Sequence, residues 1–189
     1  MTTTTRPRKA GARDRLIAAA ERVFLSDGIR AVGVDRLCAE AEVSKRSLYQ
    51  HFSGKDDVVT AMLQAQAAKF GAALAGDDDQ PPRERILSAF APFEGDGPGT
   101  ELASCPFVGA ATELKDPDHP ASRIAREQKV ALTDYFAELA RAGGATDPDL
   151  LALQLTLVFD GASAFAVVRG ESTSATRATV ETLLAAHGI

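Results

Sequence analysis

The sequence predicts an all-α protein with a small N-terminal helical domain and a larger helical domain after it. Apolar residues recur at the three- and four-residue spacing of amphipathic helices, and no useful stretch alternates as a β-strand does. Glycine, proline and capping residues divide the chain into segments of helix length. With 189 residues, 45% hydrophobic and 25% charged, the chain is long enough for one or two packed domains and is unlike a disordered one.

Charge is divided unevenly along the chain. The formal net charge is −5. Residues 1–55 hold eleven Lys and Arg side chains against six Asp and Glu, a net charge of +5, which leaves −10 for the remainder. A basic segment within an acidic chain indicates a polyanionic partner for that segment, and a chance cluster of surface charge is the alternative.

Composition disfavours several classes of protein. Two cysteines, Cys38 and Cys105, are too few for a disulfide framework. The polar, basic segment 1–11 reads as a flexible tail and lacks the apolar stretch of a secretory signal. The longest apolar run, residues 150–168, has the length of a membrane span but is interrupted by three polar residues. We therefore expect a soluble, cytoplasmic protein with no membrane partner.

The first three helices are short and closely spaced. The stripe of the first consists of Leu16, Ile17, Ala20, Val23 and Phe24. Gly28 is suited to the left-handed conformation that ends this helix. The stripe of the second consists of Val34, Leu37, Cys38 and Ala41. Ser44 is placed to cap the third helix, with Leu48 and Phe52 toward the core.

A fourth helix is predicted to follow at once. Ser53 is its expected cap, and Asp56 three residues later resembles the acid of a capping box. This helix should extend to about residue 75. The predicted domains are then 12–57 for the first and 58–75 for the helix that connects it to the rest.

Residues 28–57, GIRAVGVDRLCAEAEVSKRSLYQHFSGKDD, resemble the DNA-binding domain of TetR-type transcriptional regulators. A tight turn between the second and third helices forms a helix-turn-helix at about 33–52. The resemblance is carried by Gly28, Val34, Leu37, Val43, Ser44, Lys45, Leu48, Tyr49, His51, Phe52 and Lys55. Two residues depart from the family pattern: Gly33 replaces the usual Thr or Ser, and Glu42 replaces a glycine in the turn. If Glu42 must adopt a positive φ, it carries strain of about 1 kcal/mol.

The resemblance implies that the third helix enters the major groove with its N-terminal residues toward the base edges. Arg46 is the best candidate for reading sequence, because its guanidinium fork matches guanine O6 and N7. The DNA-binding candidates together are Gly33, Ser44, Lys45, Arg46, Ser47, Tyr49, His51 and Lys55. Ring packing for Tyr49, a satisfied histidine for His51 and a solvated charge for Arg46 are the alternatives. The basic tail 6–9 either reaches DNA or has no role.

The remainder, 76–189, is predicted to be helical throughout. Helices are expected at about 83–93, 107–114, 119–142, 148–168 and 174–187. The stripe of the third of these is Ile124, Val130 or Ala131, Tyr135 and Leu139. Gly143 and Gly144 end that helix, and Asp147 with Pro148 begins the next.

The helix that contains residues 150–168 is apolar on nearly every side and must be covered all round in a soluble protein. The resemblance implies that the last two helices pair with their copies in a four-helix homodimer interface. Such a dimer places two recognition helices on a roughly palindromic operator. The interface candidates are Leu155, Phe159, Gly161, Ala162, Val180, Leu183 and Leu184.

The resemblance also implies a pocket for an unidentified small-molecule effector, so that 76–189 serves both effector binding and dimerisation. The pocket candidates are Phe90, Phe93, Cys105, Phe107, Thr112, Phe136, Phe159 and Asp160. Ordinary core packing is the alternative for the aromatic ones. An unpaired buried carboxylate is costly, so Asp160 should hydrogen-bond across the dimer or bind a polar or cationic effector, and we favour the structural role.

Catalysis is not favoured. Cys105, His119 and Asp118 are the residue types of a cysteine nucleophile, but no nucleophile signature surrounds Cys105. Neither metal-ligand spacing nor a glycine-rich phosphate loop is found in the sequence, so no metal or cofactor is expected. The predicted function is a ligand-released, DNA-binding repressor. An activator of the same fold, an enzyme using Cys105 and a protein-binding adaptor are the alternatives.

Overall fold

The computed structural model describes residues 11–75, 79–94, 105–170 and 174–189. The described helices are α1 (Ala12–Asp27), α2 (Val34–Glu40), α3 (Lys45–His51), α4 (Lys55–Leu74), α5 (Pro82–Phe90), α6 (Pro106–Leu114), α7 (Pro120–Ala142), α8 (Pro148–Arg169) and α9 (Ala175–Ala186). No strand occurs in these ranges, and the all-α prediction is confirmed. The basic tail 6–9 lies outside the described residues.

The helix ends follow from local capping chemistry. The Ser44 hydroxyl oxygen accepts a hydrogen bond from the Ser47 amide at 3.1 Å, and the Asp147 carboxylate accepts one from the Leu150 amide at 3.0 Å. Gly28 has φ +86° and ψ 151°, a conformation available essentially only to glycine. These helix boundaries are therefore encoded within a few residues of each end.

The predicted cap of α4 was wrong by one residue. Gly54, not Ser53, is the N-cap, so α4 begins one residue later than expected. Asp57, not Asp56, thereby occupies the third position of the helix. Its carboxylate accepts hydrogen bonds from both the Ser53 amide, at 2.8 Å, and the Ser53 hydroxyl. These donors lower the pKa of Asp57.

Two hydrophobic clusters divide the protein, and we call α1–α4 the head and α5–α9 the body. The first cluster is centred on the head and includes Leu16, Leu37, Leu48 and Leu63, all fully buried. Residues of α6 and of the start of α7 complete it. The second cluster lies within α5, α7, α8 and α9. Helix α7 therefore contributes to both cores and connects them rigidly. The residue boundaries between domains remain predictions.

Two details of the body differ from the predicted pattern. Helix α5 ends at Phe90, and a short 3₁₀ helix, Ala91–Phe93, follows it, because Pro92 lacks the amide hydrogen that would continue an α-helix. On α7, Val130 is 60% exposed, whereas Leu132 and Phe136 are buried. The core face of α7 is thus rotated away from the stripe that was expected.

Helix α8 has one buried and one exposed apolar face. Its buried face consists of Leu151, Ala152, Leu155, Phe159, Ser163 and Ala166. Its exposed face, the α8 stripe, consists of Leu150, Leu153, Leu157, Gly161, Ala164 and Val168. The stripe residues follow one another at intervals of three or four residues, close to the spacing of a coiled-coil seam. Helix α8 is also long and apolar enough to cross a membrane by length and composition, and a third of its apolar window is buried in the body core.

Candidate nucleic-acid interface and ligand cavity

The short helix α3 is held by its apolar side and presents a polar side to solvent. Leu48 is fully buried and Phe52 is 7% exposed, and these side chains fix α3 on the head core. The Arg15 guanidinium of α1 donates hydrogen bonds to the carbonyl oxygens of Ala41 and Glu42, at 3.2 and 3.1 Å. Glu42 has φ +51°, the positive value foreseen for the turn. Hydrogen bonds from α1 therefore hold the turn that orients α3.

The exposed side of α3 brings several DNA-binding candidates together. Lys45, Arg46 and Tyr49 lie on it, with Tyr49 57% exposed, and His51 is exposed at the C-terminal end of the same helix. Such exposure does not fit a tyrosine that merely packs between helices. Ser47 is half-buried beside them. This side of α3 offers cationic, hydroxyl and imidazole groups within two helical turns.

Three other candidates have roles of their own within the head. Ser44 caps α3, and Gly33 is the exposed N-cap of α2 with open space around its Cα. The Lys55 ammonium donates a hydrogen bond to the Ile29 carbonyl at 3.0 Å and so anchors the α1–α2 loop. Lys55 keeps two further N–H donors, because an ammonium has three.

Lys45 is paired with an acid of α2. Its Nζ lies 2.6 Å from Asp35 Oδ1, and this hydrogen bond and the charge of Asp35 raise the pKa of Lys45. The pair is exposed on both sides, so it is worth little to stability. It holds the ammonium beside the start of α3 in the charged form.

A cavity of about 330 Å³ lies between α4, α6, α7 and α8. Its lining residues are Gln66, Lys69, Phe70, Ala73, Phe93, Cys105, Pro106, Phe107, Gln128, Lys129, Leu132, Phe159 and Ser163. Four of the predicted pocket residues are among them: Phe93, Cys105, Phe107 and Phe159. The polar members on α4 and α7 were missed, because a lysine or glutamine on a helix is usually solvated. The recurrence of residues 66, 69, 70 and 73 on one face of α4 was the available signal.

Four predicted pocket residues do not line this cavity. Phe90 and Phe136 are fully buried and stack on each other, with ring centroids 5.6 Å apart, so they belong to the packed core. Thr112 and Asp160 line a separate, shallower groove between α6 and α8, of about 250 Å³. Assigning these four to one pocket with the others was wrong.

Asp160 is paired within its own chain. Its carboxylate accepts a hydrogen bond from the Lys129 ammonium, which joins α8 to α7. One turn away along both helices, the hydroxyls of Thr133 and Thr156 lie 3.0 Å apart. Asp160 thus has a partner within its own chain, and its expected roles, a hydrogen bond across the dimer or contact with a polar or cationic effector, remain predictions.

Most of the predicted dimer residues are buried inside the chain. Leu155, Val180 and Leu184 are fully buried and Phe159 is 8% exposed, so these four cannot add contact area to an interface. Gly161, Ala162 and Leu183 retain exposed surface. A helix that is apolar all round gives no sign of which face is inward, and the exposed α8 stripe was therefore missed. Leu153, Leu157 and Val168 of the stripe are 55, 73 and 83% exposed.

Cys105 and His119 are not arranged as a nucleophile and its base. His119 Nδ1 accepts the Ala121 amide hydrogen at 3.1 Å and thereby caps α7. Its Nε2 lies 3.8 Å from the Asp56 carboxylate of the head. Both ring nitrogens thus face groups other than Cys105, which lies at the start of α6.

One polar contact joins the head to α6, and another joins α1 to α4 within the head. Glu113, near the end of α6, accepts the Arg30 amide hydrogen at 3.0 Å, close to Gly28. Lys69 of α4, on the cavity wall, donates to Glu21 of α1 at 2.7 Å. Burial raises the pKa of Glu21, but the hydrogen bond from Lys69 and its charge outweigh it and lower the pKa overall. Helix α6 therefore extends from the cavity to the α1–α2 loop.

Comparisons with known proteins agree with this architecture. Residues 16–62 match the family model of bacterial regulatory proteins, tetR family. A crystal structure of a TetR-type transcriptional regulator from Streptomyces avermitilis is 41% identical, covers 95% of this chain and 100% of its own, and superposes with a TM-score of 0.82. The TetR-family regulator SCO4454 from Streptomyces coelicolor is 27% identical. The match covers 96% of this chain and 92% of SCO4454, with a TM-score of 0.79.

Curated relatives match over the N-terminal part. The HTH-type transcriptional regulator YjdC of Escherichia coli is 29% identical over 85 residues, which is 45% of this chain and 44% of YjdC. The HTH-type transcriptional activator FasR of Mycolicibacterium smegmatis is 46% identical over 52 residues, 28% of this chain and 24% of FasR. The chain thus spans less than half the length of these relatives.

Proposed function

Because the chain belongs to the TetR family of bacterial regulatory proteins and is a DNA-binding transcriptional regulator, we propose that it acts as a homodimeric, ligand-released repressor. The observation that carries the proposal is the set of exposed polar side chains on α3, within the N-terminal segment 1–55 of net charge +5. We place the protein in the bacterial cytoplasm, on the nucleoid when bound to its operator.

Recognition of DNA is assigned to α3. Arg46 reads a guanine edge in the major groove, where its fork donates to O6 and N7 together. Tyr49, His51 and Lys45 contact phosphates and position the head without reading sequence. The exposure of Lys45, Arg46, Tyr49 and His51 on one short helix supports this division of roles.

Dimerisation is assigned to the α8 stripe. Leu153, Leu157 and Val168 are more than half exposed, and a second copy is the cover that a soluble protein needs for such a stripe. Gly161 and Ala164 lie between them and allow two helices to approach closely. A two-fold axis through paired α8 helices would present two α3 helices to the two halves of a palindromic operator.

Release by a ligand is assigned to the cavity. Helix α6 lines the cavity with Cys105, Pro106 and Phe107 near its start and holds the α1–α2 loop through Glu113 near its end. A ligand that displaces α6 therefore changes the position of the head. Two heads whose spacing no longer matches the operator lose half of their contacts.

Binding to DNA from upstream of the protein's own gene tests the proposal. Fluorescence anisotropy over a salt series should show affinity falling steeply with salt, because binding to phosphates releases counterions. Arg46→Ala with Tyr49→Ala should weaken binding about 100-fold, since a bidentate base contact and a phosphate contact are both lost. Arg83→Ala, which removes an exposed arginine of the body, is the matched control. Equal binding by the double variant and the control would show the assignment of α3 to be wrong.

Whether the protein represses or activates transcription needs a separate measurement. Deleting the gene should raise expression of a reporter placed behind the bound DNA if the protein is a repressor. Activation is the second candidate, because the similar Mycolicibacterium protein is named an activator. A fall in reporter expression after deletion would favour it and contradict repression.

A further inference from the structure

The apolar half of the cavity is a rigid aromatic wall. Phe159 makes edge-to-face contacts with Phe70 and Phe93, with ring centroids 5.8 and 4.9 Å apart. Leu132 and Phe107 continue this surface. Packed aromatic rings hold their positions without a ligand, so the wall is preformed for a flat or aliphatic group.

The polar half of the cavity consists of hydrogen-bond donors. Lys69 and Lys129 contribute ammonium groups, and Gln66 and Gln128 contribute amides. No Asp or Glu occurs among the described residues that line it. Each ammonium is paired with a carboxylate outside the lining, Asp160 and Glu21, but the lining itself carries cations and no anion, so it favours an anionic ligand over a cationic one.

Both lysines keep donors for a further acceptor. Each ammonium has three N–H groups, and the observed ion pairs use one on Lys129, with Asp160, and one on Lys69, with Glu21. Asp160 is not among the residues that line the cavity; it lines the neighbouring groove, which shares Cys105 and Ser163 with the cavity. The Gln66 amide lies beside Glu21 and helps to lower the pKa of that carboxyl by a hydrogen bond, so Gln66 and Lys69 face the same acid.

We propose that the ligand of this cavity is a small carboxylate with an apolar or aromatic body. The body lies against Phe70, Phe93 and Phe159, and the carboxylate binds Lys129 and Lys69. The inference rests on the proposed function, in which this cavity is the effector site. Because Lys69 also holds Glu21 of α1, the ligand carboxylate competes with Glu21 for the same ammonium. Ligand binding then weakens a contact within the head, between α4 on the cavity wall and α1.

Three probes that share one skeleton test the class of ligand. They are 4-phenylbutyrate, 4-phenylbutyramide and 4-phenylbutylamine, which are anionic, neutral and cationic at pH 7. Isothermal titration calorimetry with the full chain, without DNA, should show the acid binding about tenfold or more tighter than the amide. That ratio corresponds to one charge-assisted hydrogen bond. The amine should bind more weakly than the amide.

Lysine variants locate the recognition. Lys69→Met should reduce the affinity for the acid about tenfold and leave that for the amide unchanged. Lys129→Met is made together with Asp160→Asn, so that no unpaired carboxylate remains, and is compared with Asp160→Asn alone. Lys115→Met, which removes an exposed lysine outside the cavity, is the charge control. Equal affinity for acid and amide, no binding by any probe, or lysine variants that match the control would each overturn the proposal.

Glu21→Gln tests the competition directly. Removing the charge of Glu21 leaves Lys69 free for the ligand, so the variant should bind 4-phenylbutyrate several-fold tighter and the amide equally. Unchanged or weaker binding of the acid would show that Glu21 and the ligand do not compete. DNA binding is measured on the same preparations. Protein that binds the acid selectively but not DNA contradicts the repressor function, whereas DNA binding without selectivity for the acid contradicts the ligand class.

Discussion

The head and the body present their side chains to water in different ways. In the head, the apolar side chains of α1–α4 close around one core, and the exposed side of α3 carries charged and polar groups. In the body, α8 leaves a row of leucines and valines exposed, and a cavity with aromatic walls reaches in between the helices. The head is therefore complete as a single chain, whereas the body has apolar surfaces that a second copy and a ligand would cover.

The largest expected effect tests whether the body needs a second copy. Leu157→Glu places a charge in the middle of the α8 stripe, where a dimer would bury it twice. Desolvating the charge and losing the leucine should raise the dimer dissociation constant about 1000-fold or more. Sedimentation velocity should show monomers at micromolar concentration, while Val130→Glu, at an exposed valine of α7, stays dimeric. A dimeric Leu157→Glu protein would show that the stripe is not the interface.

A smaller effect is expected where the head is fastened to α6. Gly28→Ala forces φ +86° on an alanine and places its Cβ 3.1 Å from Glu113 Oε2. The variant should lower the free energy of unfolding by about 1–3 kcal/mol. Gly33→Ala is the matched control, because its backbone has φ −92° and no atom lies within 4 Å of the added carbon. Urea unfolding should show the control losing less than about 1 kcal/mol. Equal losses would contradict the role given to Gly28.

Strain within the head should be relieved by one substitution. Glu42→Gly removes the penalty of φ +51° and should raise the free energy of unfolding by about 0.5–1 kcal/mol. Glu42→Gln keeps the strain but removes the same charge, so it should leave stability unchanged. Thermal unfolding separates the two variants by about 2–4 °C. Equal melting temperatures for the two variants would mean that the charge of Glu42, not its backbone conformation, determines the change in stability.

The smallest effect is a pH dependence at the contact between α1 and α4. The pKa of Glu21 is lowered from its ordinary value of 4.5, chiefly because its contact with Lys69 outweighs burial. An acid whose pKa is lower in the folded state than in the unfolded state stabilises the fold at pH values above its unfolded-state pKa. That stabilisation is lost as the pH falls through its folded-state pKa. The unfolding free energy of wild type should therefore drop more steeply than that of Glu21→Gln between about pH 5 and about pH 3. Glu84→Gln, at an exposed glutamate of α5, is the control, and parallel curves for wild type and Glu21→Gln would contradict the prediction.

The head could be predicted from sequence because its signals are local. A cap such as Ser44 lies within three residues of the amide it satisfies, and the positive φ of Glu42 follows from its place in a short turn. The error at Asp56 shows the limit, since only the conformation of Gly54 decides which residue starts α4. The structural role of Lys55 was not foreseen, because its partner Ile29 lies far away in sequence.

The helices of the body could be predicted from sequence, but the residues that line its cavity and its exposed apolar face could not. Asp160 and Lys129 meet only because α7 and α8 pack antiparallel, and no spacing in the sequence predicts that contact. Leu155 and Leu157 are chemically identical and two residues apart, yet one is fully buried and the other is 73% exposed. Packing between helices, not composition, decides which face of an apolar helix is inward.

The contact between Glu113 and the α1–α2 loop has a consequence for chimeras between regulators. The acceptor is a carboxylate of α6, but the donor is a backbone amide, that of Arg30. A head from another family member joined to this body would therefore keep the contact with any residue except proline at position 30. It would also need a glycine at position 28, where the carboxylate comes close to the chain. The polar part of the fit between an exchanged head and α6 thus depends on a glycine and a backbone amide on one side and a glutamate on the other.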